Sequence, residues 1–348
     1  MLRVAILGGS GYTCSELLRL LLSHPHVKVT AVTSERSSGF QVSDIFLNIR
    51  GADLKFEPLD LKVLTKKADL FFLCLPHKTS QETAAFLHNA GKKVIDLSAD
   101  YRIKDPKVYQ DWYNTPHLFT SLLKKAVYGL PEIYRKQIKK SSLIANPGCY
   151  PVSSILALAP IIGKNFIGTN SIIIDSKSGT SGGGRSPAQP FMYCEVNESV
   201  KAYAVTSHRH TPEIEQELSA ISRKKVKIIF TPHLMPMDRG ILSTVYVRLK
   251  GSINISKVQK LYQDFYRNEP FVRVLKNGVY PNTKAVKGSN FCDLSVFLNE
   301  RNSRNRTLTI VSVIDNLLKG ASGSAVQNMN IMYGFNETAG LLNSPPCP

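Results

Sequence analysis

Arg3-Val4-Ala5-Ile6-Leu7-Gly8-Gly9-Ser10-Gly11-Tyr12-Thr13-Cys14 decides the fold. The unbroken apolar run before Gly8 predicts a buried strand. Ser15-Glu16-Leu17-Leu18-Arg19-Leu20-Leu21-Leu22 predicts a helix directly after the glycines. Strand, glycine turn and helix together are the context in which a dinucleotide rests its pyrophosphate on a helix N-terminus. Gly8 allows the tight turn, and Gly11 lets the phosphates approach the backbone. Ser10, Tyr12 and Thr13 complete the candidate cofactor loop. The spacing is G-x-x-G-x-x-C, so Cys14 stands where a third glycine would let helix and strand pack closely.

The same pattern recurs down the first half. Val27 to Thr33 reads as a second strand, followed by Ser34, Glu35, Arg36 and Ser37. A lone acid here would suit the ribose of NAD; Arg36 among serines favours the 2′-phosphate of NADP, with Glu35 as the counter-indication. Asp69 to Leu75 is a third strand, leading into Pro76-His77-Lys78-Thr79-Ser80 and a helix. Lys93 to Ser98 is a fourth, leading into Ala99-Asp100-Tyr101-Arg102. Arg102 has two readings, a bidentate anion clamp or an ion pair with Asp100 or Asp105. Residues 142–145 form a further strand that delivers Asn146-Pro147-Gly148-Cys149-Tyr150-Pro151 to the same carboxyl edge. Residues 153–162 read as a helix, with Pro151 in its first turn. Cys149 then sits at a helix mouth, where the dipole favours a thiolate. The residues alone leave it either a nucleophile or a buried structural cysteine.

Beyond that helix the pattern changes. Ser171 to Asp175 is a strand, and 176–185 is a glycine-rich loop in which Lys177 and Arg185 favour ligand wrapping over a linker. In Tyr203-Ala204-Val205-Thr206-Ser207-His208-Arg209-His210-Thr211-Pro212, Thr211 suits a helix cap. Extended residues before it would turn His208 and His210 to one side. Two histidines outside a helix mouth suit acid–base work, His210 first; no third ligand supports a metal. Segments 226–234, 240–249, 293–298 and 307–314 alternate like antiparallel strands. Residues 256–267 read as a helix, and 316–332 as a long helix returning to the first domain. The predicted class is α/β: a Rossmann-type dinucleotide-binding domain over 1–148 and 320–348, plus an α+β catalytic and dimerisation domain over 149–319 with a mostly antiparallel sheet.

Composition narrows the function. The chain has 348 residues, a formal net charge of +18 and 6 cysteines. With no CxxC pair the cysteines make neither a disulfide framework nor a zinc knuckle, which predicts a reducing, cytoplasmic setting. The N-terminal apolar run is too short for a signal peptide, and no stretch reaches membrane-spanning length. The basic runs at 135–140, 223–227 and 301–306 are scattered and lack interleaved aromatics, so a solvated surface is favoured over nucleic-acid binding.

With these residues in view the chain resembles, over essentially its whole length, the N-acetyl-gamma-glutamyl-phosphate reductase family of the semialdehyde dehydrogenases. The resemblance rests on the glycine loop, Leu75-Pro76-His77, Asp96-Leu97-Ser98-Ala99-Asp100-Tyr101-Arg102, Tyr128-Gly129-Leu130-Pro131-Glu132 and Asn146-Pro147-Gly148-Cys149-Tyr150-Pro151. Lys177-Ser178-Gly179, His208-Arg209-His210-Thr211-Pro212-Glu213, Thr231-Pro232-His233-Leu234 and Asp315-Asn316-Leu317-Leu318-Lys319-Gly320-Ala321 complete it. Cys14, Val152 and Ser324 depart from the family pattern. The resemblance implies NADPH-dependent reduction of N-acetyl-L-glutamyl 5-phosphate to the 5-semialdehyde and phosphate, in arginine biosynthesis, through a Cys149 thioester served by His210 or His208. A sister enzyme for aspartyl phosphate or a carrier-linked aminoadipyl phosphate is the alternative. It further implies Leu75, Pro76, Ser178, Gly179 and Asn316 at the cofactor. At the substrate it implies Arg102, Asn146, Lys177, Arg185, Glu195 and His208. The resemblance implies no metal, and it implies a homodimer or homotetramer.

Overall fold

The strand that opens the chain becomes an interior strand of a parallel sheet. The protein is seen in a computed structural model describing residues 1–251, 253–301 and 306–345, the side chain of Asn170 excepted. Two units divide it: Met1–Gly148 with Gly184–Ser186 and Ala321–Asn343, and Cys149–Gly183 with Pro187–Gly320.

The first unit holds β1 (Leu2–Leu7), β2 (Val27–Thr33), β3 (Phe56–Glu57), β4 (Leu70–Leu73), β5 (Lys93–Asp96), β6 (Val127–Tyr128) and β7 (Leu143–Ala145). They pair in the order β3-β2-β1-β4-β5-β7-β6, all parallel. The order reverses between β1 and β4, and loops after strands flanking such a reversal are where α/β sheets bind ligands. Ala5, Leu7, Phe71, Leu73, Val94, Leu143 and Ala145 fill the core, as expected of strands covered on both faces.

The segment expected as one long helix over 316–332 breaks in two. Leu318–Ser322 is a π-helical turn and Gly323–Tyr333 an α-helix. That last helix is buried along its length despite Gln327, Asn328 and Asn330, because its polar groups are engaged. Asn328 Nδ2 donates to the Gly129 carbonyl at 2.9 Å and to Asn146 Oδ1 at 3.1 Å. Lys93 Nζ donates to the Met332 carbonyl at 2.9 Å.

The second unit holds β8 (Ile167–Ser178), β9 (Lys201–Ala202), β10 (Ile228–Leu234), β11 (Ile241–Leu249), β12 (Val272–Val274), β13 (Cys292–Asn299) and β14 (Thr307–Ile314), in the order β12-β13-β14-β11-β8-β10-β9. The sheet is mixed, which corrects the expectation of a mostly antiparallel one. β10 runs parallel to β8 and β12 parallel to β13, while the other pairs are antiparallel. Alternation of side chains reports a half-buried face and not strand direction. The β8-to-β10 connection carries the helix Thr211–Ser222, and such a crossover returns the chain in the same direction. β8 also runs longer than expected, drawing Ser176, Lys177 and Ser178 out of the glycine-rich loop; Thr180–Gly183 forms a 3₁₀ turn.

Of the basic runs, Arg135 pairs with Glu337 at 2.9 Å and Lys227 with Glu215 at 2.6 Å. Part of the third run, 302–305, lies outside the described residues, as do 346–348 of the predicted returning segment. Among the described residues no helix is long and apolar enough to cross a membrane.

Candidate functional site

In the first unit, Gly8 turns out of β1 at φ 92°. A Cβ there would lie 2.6 Å from the Cys74 carbonyl oxygen, and a Cβ on Gly9 2.8 Å from that of Thr33. The ends of β4 and β2 thus demand glycine at both positions, a role for Gly9 that motif spacing does not reveal. A Cβ on Gly11 would meet nothing. Gly11 is the N-cap of the helix Tyr12–Leu21, which has no capping side chain and no acid in its first turn. An unquenched helix N-terminus over an open glycine is a cradle that fits a pyrophosphate. Cys14 is fully buried, and that burial, beside Cys74, pushes its thiol pKa well up. It packs as a small apolar residue, so the departure from the glycine pattern leaves the helix seated on the sheet.

Beyond β2, Ser34 and Ser37 are buried and tied together, Ser37 N donating to Ser34 Oγ at 3.3 Å. Glu35 Oε1 accepts from Leu59 N at 3.3 Å, whereas Arg36 is exposed. Leu75 and Pro76 follow β4, so the loops carrying Gly8 to Thr13, Ser34 to Ser37 and Leu75 to Pro76 stand on adjacent strands of one edge.

The loop after β5 is a buried brace. Asp96 accepts from Ser98 N at 3.0 Å and from Ser98 Oγ at 2.7 Å. Asp100 accepts from Lys78 N at 2.8 Å, Ser80 N at 3.0 Å and Tyr109 OH at 2.8 Å, fixing the start of the helix Ser80–Asn89. Burial, reinforced by Asp100, raises the Asp96 carboxyl to about 6. Arg102 is buried at the end of this loop. Its buried guanidinium donates to the Asn146 carbonyl at 2.7 Å and to the Leu97 carbonyl at 2.8 Å, so it ties the ends of β5 and β7. Asn146 is equally committed: its Nδ2 donates to the Ala321 carbonyl at 3.0 Å and its Oδ1 accepts from Asn328. Arg185 lies in this unit, with Nη1 3.3 Å from the Ser10 carbonyl and its guanidinium over Phe46 at 5.3 Å. It joins the glycine loop.

In the second unit, Cys149 begins the helix Cys149–Leu158, with Pro151 in the first turn as expected. The helix is buried from Tyr150 to Leu158 and is keyed to the sheet by hydroxyls. Ser153 Oγ lies 3.0 Å from Ser243 Oγ and from Ser312 Oγ, and Ser243 Oγ lies 2.7 Å from Ser176 Oγ. Tyr262 and Tyr266 hydroxyls donate to the Ala157 and Leu156 carbonyls, satisfying the C-terminal end. Gly320, in the π-turn, packs on the cysteine: a Cβ there would lie 2.8 Å from Cys149 Cβ. Asp315 sets that turn, accepting from Leu317 N at 2.8 Å and Leu318 N at 3.1 Å while pairing with Arg239.

His208 and His210 come together, with ring centroids 4.9 Å apart. The route differs from the expected one. The residues before them are not extended: Ala204 and Thr206 take left-handed φ of 44° and 64°. His210, and not Thr211, is the N-cap of the helix Thr211–Ser222. Tyr203 N is pinned to the Pro232 carbonyl at 3.1 Å, and the strained turn then folds the histidines inward. The Tyr150 ring meets His208 at 5.4 Å and His210 at 5.9 Å, and Tyr150 OH lies 3.0 Å from Tyr203 OH. Burial and then Arg209 push His208 down to about 4. Tyr203 is raised to about 12, chiefly by burial and also by negative charge at Cys149.

Of the other candidates in this unit, Ser178 reaches the cluster through a hydrogen bond with the Tyr150 side chain. Lys177 Nζ bonds Asp175 Oδ1 at 2.7 Å, and His233 approaches the same carboxylate at 3.2 Å. Strand alternation puts Asp175 and Lys177 on the face opposite Ser176, which faces the cysteine helix, so Lys177 leaves the cluster. Ser178 Oγ donates to the Gly179 carbonyl at 3.0 Å. Asn316 accepts from Gly240 N at 2.7 Å and donates to Ser181 Oγ at 2.9 Å. Glu195 is exposed on the short helix Tyr193–Val196. Among the described residues no group of three His, Cys, Asp or Glu could hold a metal.

Comparison with known proteins converges on one family. Residues 3–141 match the NAD binding domain of semialdehyde dehydrogenase, and residues 149–316 its dimerisation domain. An N-acetyl-gamma-glutamyl-phosphate reductase of Geobacter metallireducens is 53% identical over 350 aligned residues covering 100% of both chains. The like-named protein of Desulforudis audaxviator is 47% identical, covering 98% of each. Among solved structures, aspartate semialdehyde dehydrogenase II of Vibrio cholerae, complexed with ASA, gives a TM-score of 0.73 at 17% identity over 96% of this chain and 98% of that one. Aspartate semialdehyde dehydrogenase of Candida albicans, with NADP, gives 0.72 at 14% identity, over 96% and 98%. At those identities the two structures establish the fold alone. The glycine cradle, the helix-mouth cysteine and the full-length identity together mean that the chain belongs to the N-acetyl-gamma-glutamyl-phosphate reductase family, NAD(P)-binding oxidoreductases of the semialdehyde dehydrogenase type.

Proposed function

We propose that the chain reduces N-acetyl-L-glutamyl 5-phosphate to N-acetyl-L-glutamate 5-semialdehyde and phosphate in arginine biosynthesis, with Cys149 as nucleophile. The observation that carries this reading is the thiol at the first turn of a buried helix whose next residue, Tyr150, packs its ring on a histidine pair. Cys149 Sγ attacks the acyl carbonyl carbon, the C–O bond to phosphate breaks, and a thioester is left on the sulfur. NADPH, when bound, supplies the hydride that takes the acyl group to the aldehyde level. The C–S bond then breaks with its electron pair on sulfur, and the thiolate is restored. His210 removes the thiol proton before attack and holds the sulfur as thiolate while the aldehyde leaves.

The backbone of Gly8 to Thr13 would hold the pyrophosphate. Arg36, with Ser34 and Ser37, would hold the 2′-phosphate; Glu35 turned onto Leu59 N supports NADPH over NADH. Leu75, Pro76, Ser178, Gly179 and Asn316 complete the proposed cofactor set. The 53% identity to proteins named for the acetylglutamyl reaction favours that substrate over aspartyl phosphate.

The assembly is proposed to be a homodimer through one sheet face. Ile229, Ile173, Tyr246, Thr309 and Phe297 are successive cross-strand partners, so they form one row on that face. Ile229, Ile173 and Tyr246 are 63%, 41% and 38% exposed, an apolar row of the kind that marks interfaces.

The decisive experiment mixes enzyme with the acyl phosphate and withholds NADPH. Intact-mass spectrometry is expected to find one acetylglutamyl adduct on Cys149, absent from Cys149→Ser. No adduct on the wild-type thiol overturns the reading.

A further inference from the structure

His208 sits in a box of rings. Tyr150 meets it edge-on at 5.4 Å and 89°, Phe230 at 5.3 Å and 88°, Tyr203 at 5.5 Å and 68°, and His210 at 4.9 Å. These rings come from the cysteine helix, from β10, from the segment after β9 and from the cap of the next helix. His208 Nδ1 accepts the main-chain N–H of His210 at 3.1 Å. A nitrogen that accepts from an N–H carries no proton, so the neutral ring has its hydrogen on Nε2.

We propose that His208 is a positioning residue and not a second proton carrier: its unprotonated Nδ1 and its ring box fix the main chain of His210 and the ring of Tyr150 beside Cys149. A proton arriving on Nδ1 would set two N–H groups head to head, breaking the anchor. The titratable and charged groups facing the ring are Tyr150 from the helix, Tyr203, His210 and Arg209. Arg209 opposes a positive imidazolium, and burial does so more strongly. His210, one wall of the box and the cap of the next helix, keeps the proton work. This inference rests on Cys149 being the nucleophile, as proposed above.

The anchor suggests a substitution that separates the two roles. An asparagine places its Oδ1 near the position of Nδ1 and cannot titrate, whereas alanine removes the acceptor. His208→Asn is expected to lose less than about 10-fold in kcat/KM and to keep the pH profile of the wild type, while His208→Ala loses about 100-fold, the lower range for a displaced acid–base group. His210→Asn should abolish the limb of the profile that His208→Asn leaves intact. If His208→Asn is as inactive as His208→Ala and loses that limb, His208 carries the proton and the proposal falls. Nitrogen-15 NMR of histidine-labelled wild type supplies a second reading at pH 7. One ring with Nδ1 unprotonated and Nε2 protonated, assigned by its loss in His208→Asn, is expected. The opposite tautomer or an imidazolium overturns the proposal. The spectrum needs no turnover, so it stands apart from failure of the acyl-adduct experiment, which would instead remove the nucleophile.

Discussion

Gly320 and Cys149 are packed so closely that a Cβ on the glycine would lie 2.8 Å from the cysteine Cβ. The position tolerates no side chain without moving one of the two. The turn is held by Asp315 through two main-chain N–H groups and Arg239, so the cysteine is the softer partner. Gly320→Ala is expected to lower kcat/KM by about 10-fold to 100-fold and stability by about 1–3 kcal/mol, the usual range for overpacking. Thiol alkylation by iodoacetamide should slow in parallel. Unchanged alkylation with unchanged kcat/KM would show that the close approach does not position the sulfur.

Arg36 stands exposed where a 2′-phosphate would be read, and Glu35 is turned onto Leu59 N. Arg36→Ala is expected to weaken NADPH by about 10-fold or more, the scale of one charge-assisted contact, and NADH little. Fluorescence titration of both nucleotides checks this. Equal weakening would remove the 2′-phosphate assignment.

Asp96 is fully buried and raised to about 6 by burial and by Asp100. A carboxyl raised in the folded state binds more protons there than in the unfolded chain. Stability therefore falls as pH rises from about 4 to about 6, by up to about 3 kcal/mol at 1.36 kcal/mol per unit. Asp96→Asn should flatten that window in denaturant midpoints measured from pH 4.5 to 7. A slope equal to that of the wild type would show that another group supplies it.

The row Ile229, Ile173 and Tyr246 is expected to meet its copy in a second chain. Ile229→Lys should shift the chain toward monomer in sedimentation equilibrium. If the mass is unchanged, the interface lies elsewhere.

Local pattern carried most of the first unit. β2 appears over the predicted residues because an apolar run between turn signals has one good solution, and Cys149 lands at a helix mouth because Pro151 can only be accommodated early. The second unit was less legible for a physical reason. Alternation identifies a strand but not its partner, so β10 was read as antiparallel although it lies parallel to β8. The surroundings of single side chains were out of reach for the same reason: Arg102 is polar in sequence but closes two buried carbonyls, and Lys177 is one residue out of phase with the inward-facing Ser176. Tyr203 and Phe230 could not be picked out, since nothing local says that their rings enclose His208.

The helix Gly323–Tyr333 supplies Asn328 to Gly129 and Asn146, and it accepts Lys93. Those partners are made by the ribosome some two hundred residues before it. A nascent chain that has reached residue 148 thus has every strand of its first sheet but not the piece that satisfies them. Nucleotide binding by a growing polypeptide should therefore switch on only near the end of translation, and a truncation before residue 323 should leave a sticky, unfinished sheet for chaperones to hold.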